Sequence, residues 1–446
     1  MTSYREHAKA LTLLGIPIVL GQLGAIAQSF ADTIMVGQYG TDELSASGFV
    51  NNVFNLAIFF LLGVSYSTTP VVGRFFGQGR LGAAYRSLRE SIIVNLVVCG
   101  GVMLLMFGLY SSLDYLNQPT QLLPLIRTYF IILLLSLPFM SAFNAMKQFC
   151  DGVGDTKSPM WILLMGNALN IGGNALLIYG CTPLSIPSFG LAGAGYATLI
   201  SRIAMMVAMA ITIRASRHYH IYHAAPSEAL TNRGMLHIAR KGVPIGLQLA
   251  MEASAFNIAA IMMGWLGATA LAAHQVMGTI ASLCFMVYYG IGAAAAIRIS
   301  HFRGKEDWAE VKRTAYAAYA MTLAVGALLT AAIYMLRIPL AFCFTTSAEV
   351  VEVVAMLMLP FVFYQFGDCA QIVFANSLRA IERVKPLVWG AIVAYWVISL
   401  PLSYLLAFTL DVKAAGIWWG FPFGLSFAGL VFFLQFRKAT THIADN

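Results

Sequence analysis

Long apolar runs recur along the whole chain and are separated by short polar segments. Each run is long enough for a helix to cross about 30 Å of hydrocarbon. The runs exceed the length of barrel strands and their apolar residues do not alternate, so they predict helices. We predict twelve, at roughly 11–36, 46–70, 88–110, 124–150, 159–180, 189–214, 236–264, 272–299, 311–335, 350–378, 386–408 and 414–437. The predicted fold class is therefore an all-α membrane protein with twelve transmembrane helices.

Composition agrees with this pattern. The chain has 446 residues, of which 59% are hydrophobic and 10% are charged, and its mean hydropathy is +0.76. A soluble protein carries about 25% charged residues. The chain is therefore too apolar for a soluble globular protein.

The basic residues are unevenly distributed. With a cytoplasmic amino terminus, all Lys and Arg except Arg127, Arg337, Lys413 and Arg202 fall in or beside cytoplasmic segments. The first three exceptions fall on the outer side, and Arg202 lies at membrane depth. This asymmetry follows the positive-inside rule. The net charge of +8 is thus a result of topology rather than a sign of a nucleic-acid partner. We expect both termini to be cytoplasmic and the protein to lie in a bacterial inner membrane.

The two halves of the chain are related. A shift of 227 residues pairs, among others, Pro17 with Pro244, Gly37 with Gly264, Gly63 with Gly290, Arg86 with Arg313 and Pro159 with Pro386. Six helices per half is an even number, so both halves begin on the same side, as in parallel-repeat transporters. We expect lobes at 1–215 and 236–446, joined by a cytoplasmic linker at 216–235.

Three acids interrupt the apolar helices: Asp32, Glu252 and Asp368. An ionised side chain at the bilayer centre costs at least about 2.5–3.5 kcal/mol. One interpretation is structural, in which each acid is protonated and hydrogen-bonded between helices. The functional interpretation is that H⁺, Na⁺ or an organic cation neutralises each acid in turn, which is the physical requirement for antiport. Arg202 is a candidate partner in space.

Other polar and aromatic residues lie near these acids. Asn170 and Asn174 share one helical face, and Thr198 follows in the next helix; all three can ligate a cation or join helices. Tyr364 and Gln371 flank Asp368, while Phe256 follows Glu252 by one turn.

Aromatic side chains beside an acid can hold a lipophilic cation. Tyr288 is a further candidate for such a wall, although membrane aromatics commonly pack or face lipid. Pro17 and Pro244 permit a bend, either as static kinks or as hinges.

The sequence resembles the multidrug and toxic compound extrusion (MATE) family, in its NorM-type branch. The resemblance covers nearly the whole chain and rests on motifs in a specific order: IPIVLGQLGAIAQSFADTIMVGQYG, VVGRFFGQGR, DGVGDTKSPM, LAGAGYAT, VPIGLQLAMEASAF, YQFGDCAQ and GIWWGFPFGL. One departure is visible, because LRAIERVKP replaces the glycine-rich turn that is usual after helix 10.

The resemblance implies a V-shaped architecture of two lobes and export of cationic amphipathic compounds, driven by Na⁺ or H⁺. It implies an amino-terminal cation site at Asp32, Asn170, Asn174 and Thr198. It also implies a carboxy-terminal site at Glu252, Tyr364 and Asp368, the site that marks the NorM-type branch. Na⁺ is the expected metal ion at either site, and Glu252, Asp368, Phe256, Tyr288 and Gln371 are the expected substrate contacts.

Other classes fit less well. A lipid-linked oligosaccharide flippase of the same superfamily is the alternative, but its cavity should be rich in Arg and Lys, whereas the deep charges here are mostly acidic. Gly152-Val153-Gly154-Asp155 spells the GxGD of intramembrane proteases, yet it falls in a predicted cytoplasmic turn. No P-loop or HExxH motif occurs. We therefore expect a monomeric transporter, not an enzyme, with no cofactor beyond the coupling ion and with small organic cations and membrane lipid as partners.

Overall fold

The computed structural model describes residues 4–116, 119–181, 185, 187–226 and 228–442. Twelve helices in this part of the chain are long and apolar enough to cross a membrane. They are α1 Tyr4–Tyr39, α2 Thr41–Gly77, α3 Leu81–Ser111, α4 Leu123–Gly152, α5 Lys157–Tyr179, α6 Leu191–Ala215, α7 Asn232–Trp265, α8 Ala268–Gly304, α9 Trp308–Met335, α10 Ala348–Ala380, α11 Lys385–Thr409 and α12 Lys413–Thr441. The predicted all-α class with twelve transmembrane helices is confirmed.

Most helices extend beyond the apolar runs that predicted them. The run at 272–299, for example, lies inside α8, which continues to Gly304. Intrahelical hydrogen bonds do not require hydrocarbon, so a helix can continue into polar sequence. α2 is interrupted at Tyr66 and Ser67 and consists of the segments Thr41–Ser65 and Thr68–Gly77.

α11 departs from regular α-helix at the stretches Ile392–Ser399 and Leu405–Thr409, which are π-helical. Glycines of α12 pack directly against it. A Cβ atom on Gly424 would lie 2.3 Å from the backbone oxygen of Ala394, and one on Gly420 would also clash with α11. The glycines therefore allow the two backbones to approach closely, as small residues do between membrane helices.

The chain forms two compact units. Unit 1 consists of Met1–Val19 and Leu247–Asn446, and unit 2 is Leu20–Gly246. The chain passes from one unit to the other inside α1 and again inside α7. Pro17 lies just before the first passage, and its repeat partner Pro244 lies just before the second. The predicted lobe boundaries at residues 215 and 236 stay a prediction.

In unit 2, the start of α7 is held by backbone packing and by a buried acid. A Cβ atom on Gly63 of α2 would lie only 2.5 Å from the Cα atom of Gly246. The buried Glu90 accepts hydrogen bonds from the backbone nitrogen and the hydroxyl of Thr231, both at 2.9 Å. These hydrogen bonds satisfy groups at the helix start that have no intrahelical partner.

In unit 1, the start of α1 is held in a comparable way. A Cβ atom on Gly15 would lie 3.2 Å from the backbone oxygen of Gly290. His7 is fully buried; its Nε2 atom lies 2.9 Å from Glu310 Oε2, and its Nδ1 atom lies 3.2 Å from Thr314 Oγ1. Gly290 is the repeat partner of Gly63, so both units use an equivalent glycine for close packing.

Three connections between helices are fixed by acids, of which two involve ion pairs. In the segment before α7, Glu228 pairs with Arg86. After α10 the chain turns at Glu382, whose φ of 59° lies in the left-handed region, and Arg303 donates to Glu382 Oε1 at 2.7 Å. This ion pair holds a conformation that usually favours glycine, and it explains how a chain without the glycine-rich turn bends there.

Asp155, in the turn between α4 and α5, is the third such acid. It accepts a hydrogen bond from the Tyr219 hydroxyl at 2.7 Å and another from the backbone nitrogen of Ser158 at 3.1 Å. Burial alone would raise the pKa of Asp155, but the hydrogen bonds from Ser158 and Tyr219 outweigh it, so its pKa lies below the ordinary value.

Candidate cation sites

Asp32 of α1 is surrounded by amide groups within unit 2. Asn174 of α5 donates to Asp32 Oδ1 at 2.5 Å, and Gln28, one turn earlier on α1, approaches Oδ2 at 3.5 Å. With the Asn170 amide oriented to satisfy both neighbours, its nitrogen donates to Asp32 Oδ1 at 2.8 Å and its oxygen accepts from Thr198 Oγ1 at 3.2 Å. The four residues expected at the amino-terminal site therefore form one cluster.

An arginine lies close to this cluster. Arg202 of α6 is near enough to interact electrostatically with Asp32. It forms no ion pair with Asp32, and its Nη1 atom donates to Ser136 Oγ of α4 at 2.7 Å. Asp32 remains half-buried and is held only by neutral groups among the described residues.

The second pair of acids lies in unit 1. Glu252 of α7 and Asp368 of α10 are close enough for their charges to repel. Gln371 approaches Glu252 Oε2 through its Nε2 atom at 3.5 Å. Arg379 acts on Glu252 through space, while its Nη2 atom donates to Gln248 Oε1 at 3.0 Å. Arg379 and Gln248 were not among the predicted site residues.

Asp368 is only 1% exposed, and its Oδ2 atom has no hydrogen-bond partner in the described part of the chain. The same is true of the buried Tyr288 hydroxyl and of Gln371 Oε1, while the Tyr395 hydroxyl is close enough to Glu252 to interact with it. Buried polar atoms in proteins are normally satisfied. A group of unsatisfied carboxylate, amide and hydroxyl oxygens is the donor set that a hard cation prefers, so these residues fit Na⁺, and the carboxylates also fit H⁺.

Aromatic rings adjoin these acids. Phe256 is stacked in parallel on Phe421 of α12, with ring centroids 4.6 Å apart. Tyr364 lies 6.4 Å from Phe256 and 6.0 Å from Trp418, centroid to centroid. Tyr288 is fully buried near Asp368, but it makes none of these ring contacts.

Sequence reasoning missed Trp418, Phe421 and Tyr395. They lie in helices that are apolar on all sides, so periodicity does not indicate which face meets the acids. Trp418 and Phe421 lie in the motif GIWWGFPFGL, which supported the family resemblance but did not indicate a site, and Tyr395 lies outside every motif quoted above.

Twelve helices that are long and apolar enough to cross a membrane define a multi-pass membrane protein. A family model described as MatE matches residues 17–176 and 244–405. The chain belongs to the MatE family. This confirms the predicted resemblance, and it places the protein among membrane transporters and not among enzymes.

Relatives and solved structures agree. The probable multidrug resistance protein NorM of Bradyrhizobium diazoefficiens is 30% identical over 95% of this chain and 92% of its own length. The multidrug resistance protein NorM of Vibrio cholerae is 27% identical over 97% and 95%. The crystal structure of the eukaryotic MATE transporter AtDTX14 has the same fold, with a TM-score of 0.86 at 17% identity over 99% of both chains.

Proposed function

We propose that the protein is a secondary active multidrug efflux transporter that exports cationic amphipathic compounds in exchange for Na⁺ or H⁺. Relatives across the full length of the chain are named as multidrug resistance proteins, which supports the efflux role. The positive-inside distribution supports a bacterial plasma membrane location with both termini cytoplasmic. We further propose that it acts as a monomer.

The observation that carries the coupling proposal is the state of the acids. None of Asp32, Glu252 and Asp368 forms an ion pair with a described Lys, Arg or His, and the first two are half-buried rather than sealed. An acid that is costly in hydrocarbon but lacks a fixed counter-ion is suited to a mobile one. Each carboxylate can then serve the coupling ion and the exported cation in turn.

The aromatic rings beside the acids favour lipophilic cations over Na⁺. Phe256 lies one helical turn after Glu252, Tyr364 lies one turn before Asp368, and the two rings contact each other edge to face. A lipophilic cation gains both cation–π attraction and apolar burial there, whereas Na⁺ gains mainly the oxygen ligands. The two kinds of cation can therefore compete for the same carboxylates, although the lipophilic cation also contacts the aromatic rings and Na⁺ does not.

The transport cycle follows from this competition. The outward-facing protein releases drug when H⁺ or Na⁺ reaches the acids. The loaded lobes then give access to the cytoplasm, where the ion leaves and a new drug binds; Pro17 and Pro244 would bend α1 and α7 during this change. One positive charge moving inward down 100 mV yields about 2.3 kcal/mol, and export of one positive charge costs the same amount. A one-for-one exchange is therefore driven by the concentration gradient of the ion, and the potential contributes only when more positive charge enters than leaves.

The test is efflux from proteoliposomes with Na⁺ and H⁺ gradients imposed separately. We expect Glu252→Gln and Asp368→Asn to abolish ion-driven efflux while the protein still inserts, because each removes a charge that the ion must neutralise. The matched control is Glu349→Gln, which neutralises an exposed acid on α10 and should leave efflux unchanged. Normal ion-driven efflux by either site variant would contradict its assigned role, and a requirement for ATP would contradict the transport class.

A further inference from the structure

The cluster around Asp32 contains a permanent positive charge that the transport cycle above does not use. Arg202 is on the same helix as Thr198, one turn later, and Thr198 contacts Asn170, which contacts Asp32. Arginine stays charged in proteins. Its charge therefore acts on any cation that approaches Asp32, because charges in a partly buried site are poorly screened.

The position of Arg202 is fixed by neutral groups and not by the acid. Its Nη1 atom donates to the buried Ser136 hydroxyl at 2.7 Å, and Tyr129 of the same helix α4 is a second electrostatic neighbour. Asp32 meanwhile receives its hydrogen bonds from Asn174, Asn170 and Gln28. The guanidinium and the carboxylate thus share one cluster without forming an ion pair.

The other unit carries no charge at the position equivalent to Arg202, although Arg379, at a different position, acts on Glu252 there. The repeat partner of Arg202 is Gly429, where a Cβ atom would lie 2.8 Å from Ala370 Cβ of α10. A long side chain does not fit there. Positions 202 and 429 are equivalent in the repeat, so unit 2 has a positive charge at this position and unit 1 has none.

We propose that Arg202 is a specificity-determining residue that acts as an internal competitor for Asp32, so that the unit 2 site binds Na⁺ weakly. The proposal deepens the proposed function and rests on it. The Ser136 hydroxyl holds the guanidinium back from the carboxylate, which keeps Asp32 available to larger organic cations that can place their charge away from Arg202.

The experiment measures binding of Na⁺ alone to the purified full-length protein, by radiolabelled ²²Na⁺ or calorimetry. Glu252→Gln and Asp368→Asn are introduced together as the background, which leaves Asp32 as the remaining candidate site. We expect Arg202→Gln to raise Na⁺ affinity about tenfold in this background, equivalent to about 1.4 kcal/mol. Adding Asp32→Asn should abolish the gain, and Arg202→Lys should restore the weak binding because it keeps the charge.

A gain of affinity separates this role from a structural one, since loss of a packing residue weakens binding. Unchanged or weaker Na⁺ binding by Arg202→Gln, or tight binding by Arg202→Lys, would overturn the proposal. Should Arg202→Gln fail to fold, Ser136→Ala provides the second test: it frees the guanidinium to reach Asp32, so Na⁺ affinity should fall, and a rise would overturn the proposal. The Na⁺-binding assay contains no drug, so its result does not depend on efflux. If the unmodified protein failed to export drug, that result would contradict the proposed function and not the proposed role of Arg202.

Discussion

The contact between Gly63 of α2 and Gly246 of α7 offers a direct test of how unit 2 holds the start of α7. Replacing Gly63 with alanine adds a Cβ atom 2.5 Å from Gly246 Cα and 2.6 Å from Gly246 N. Ordinary carbon contacts are about 3.5–4.0 Å, and both clashing atoms are backbone. The helices must therefore separate, because no side chain can rotate out of the way.

The size of the effect can be isolated with a matched variant. Gly100 of α3 lies in the same unit, and a Cβ atom there would have no neighbour within 4 Å. Both Gly→Ala changes gain the same helix propensity, so the difference between them reports the clash. Overpacking of this kind costs about 1–3 kcal/mol, and each kcal/mol lowers Tm by about 2–4 °C in a unit of this size.

The assay is thermal unfolding of the two purified variants in the same detergent, followed by intrinsic fluorescence. We expect Gly63→Ala to melt below the unmodified protein and Gly100→Ala to melt at or above it. If the two variants melt together, α2 and α7 do not approach as closely as the structure indicates.

Two further perturbations test other contacts. His7→Ala removes a buried ring that contacts Glu310 and should destabilise the protein by about 1–3 kcal/mol, which is measured as a lower Tm. The control is His220→Ala, which changes an exposed histidine and should leave Tm unchanged. If the two variants melted at the same temperature, the contact between His7 and Glu310 would be contradicted. Asp155 has a lowered folded-state pKa, so its stabilising effect is present at neutral pH and is lost as the pH falls through the ordinary value of 3.8 and below. Asp155→Asn should therefore lower Tm at pH 7 and flatten the acid-induced loss of stability, and an unchanged acid profile would refute this.

The helices were predictable because the bilayer leaves little choice. A backbone in hydrocarbon must satisfy its own hydrogen bonds, so long apolar runs become helices whatever their detailed sequence. The repeat also indicated where equivalent helices begin. Pro159 lies in the first turn of α5, and its repeat partner Pro386 lies in the first turn of α11. Proline is tolerated there because its missing N–H would be unpaired anyway.

The acids were also predictable, because Asp32, Glu252 and Asp368 are costly exceptions in apolar sequence. Their neighbours were only partly so. Asn170 and Asn174 carry a polar signal of their own, and the structure brings both to Asp32. Trp418, Phe421 and Tyr395 carry none, since an aromatic residue suits any surface of a membrane helix.

The division of α1 between the two units could not be predicted from the sequence, for a different reason. It depends on packing between residues far apart in sequence, such as Gly15 with Gly290. A glycine pair of this kind looks the same in sequence whether it packs against its own half or not. Tertiary contacts alone determine where the division falls.

The buried position of His7 has a consequence for biosynthesis. The residues that enclose it, Glu310 and Thr314, are made some 300 residues later in the chain. Contacts of such long range form late in folding. The start of α1 is thus one of the last parts of unit 1 to reach its final surroundings, because eight more helices, α2 to α9, are made before the partners of His7 are in place. A nascent chain stalled before α9 should therefore keep its amino terminus accessible to labelling reagents.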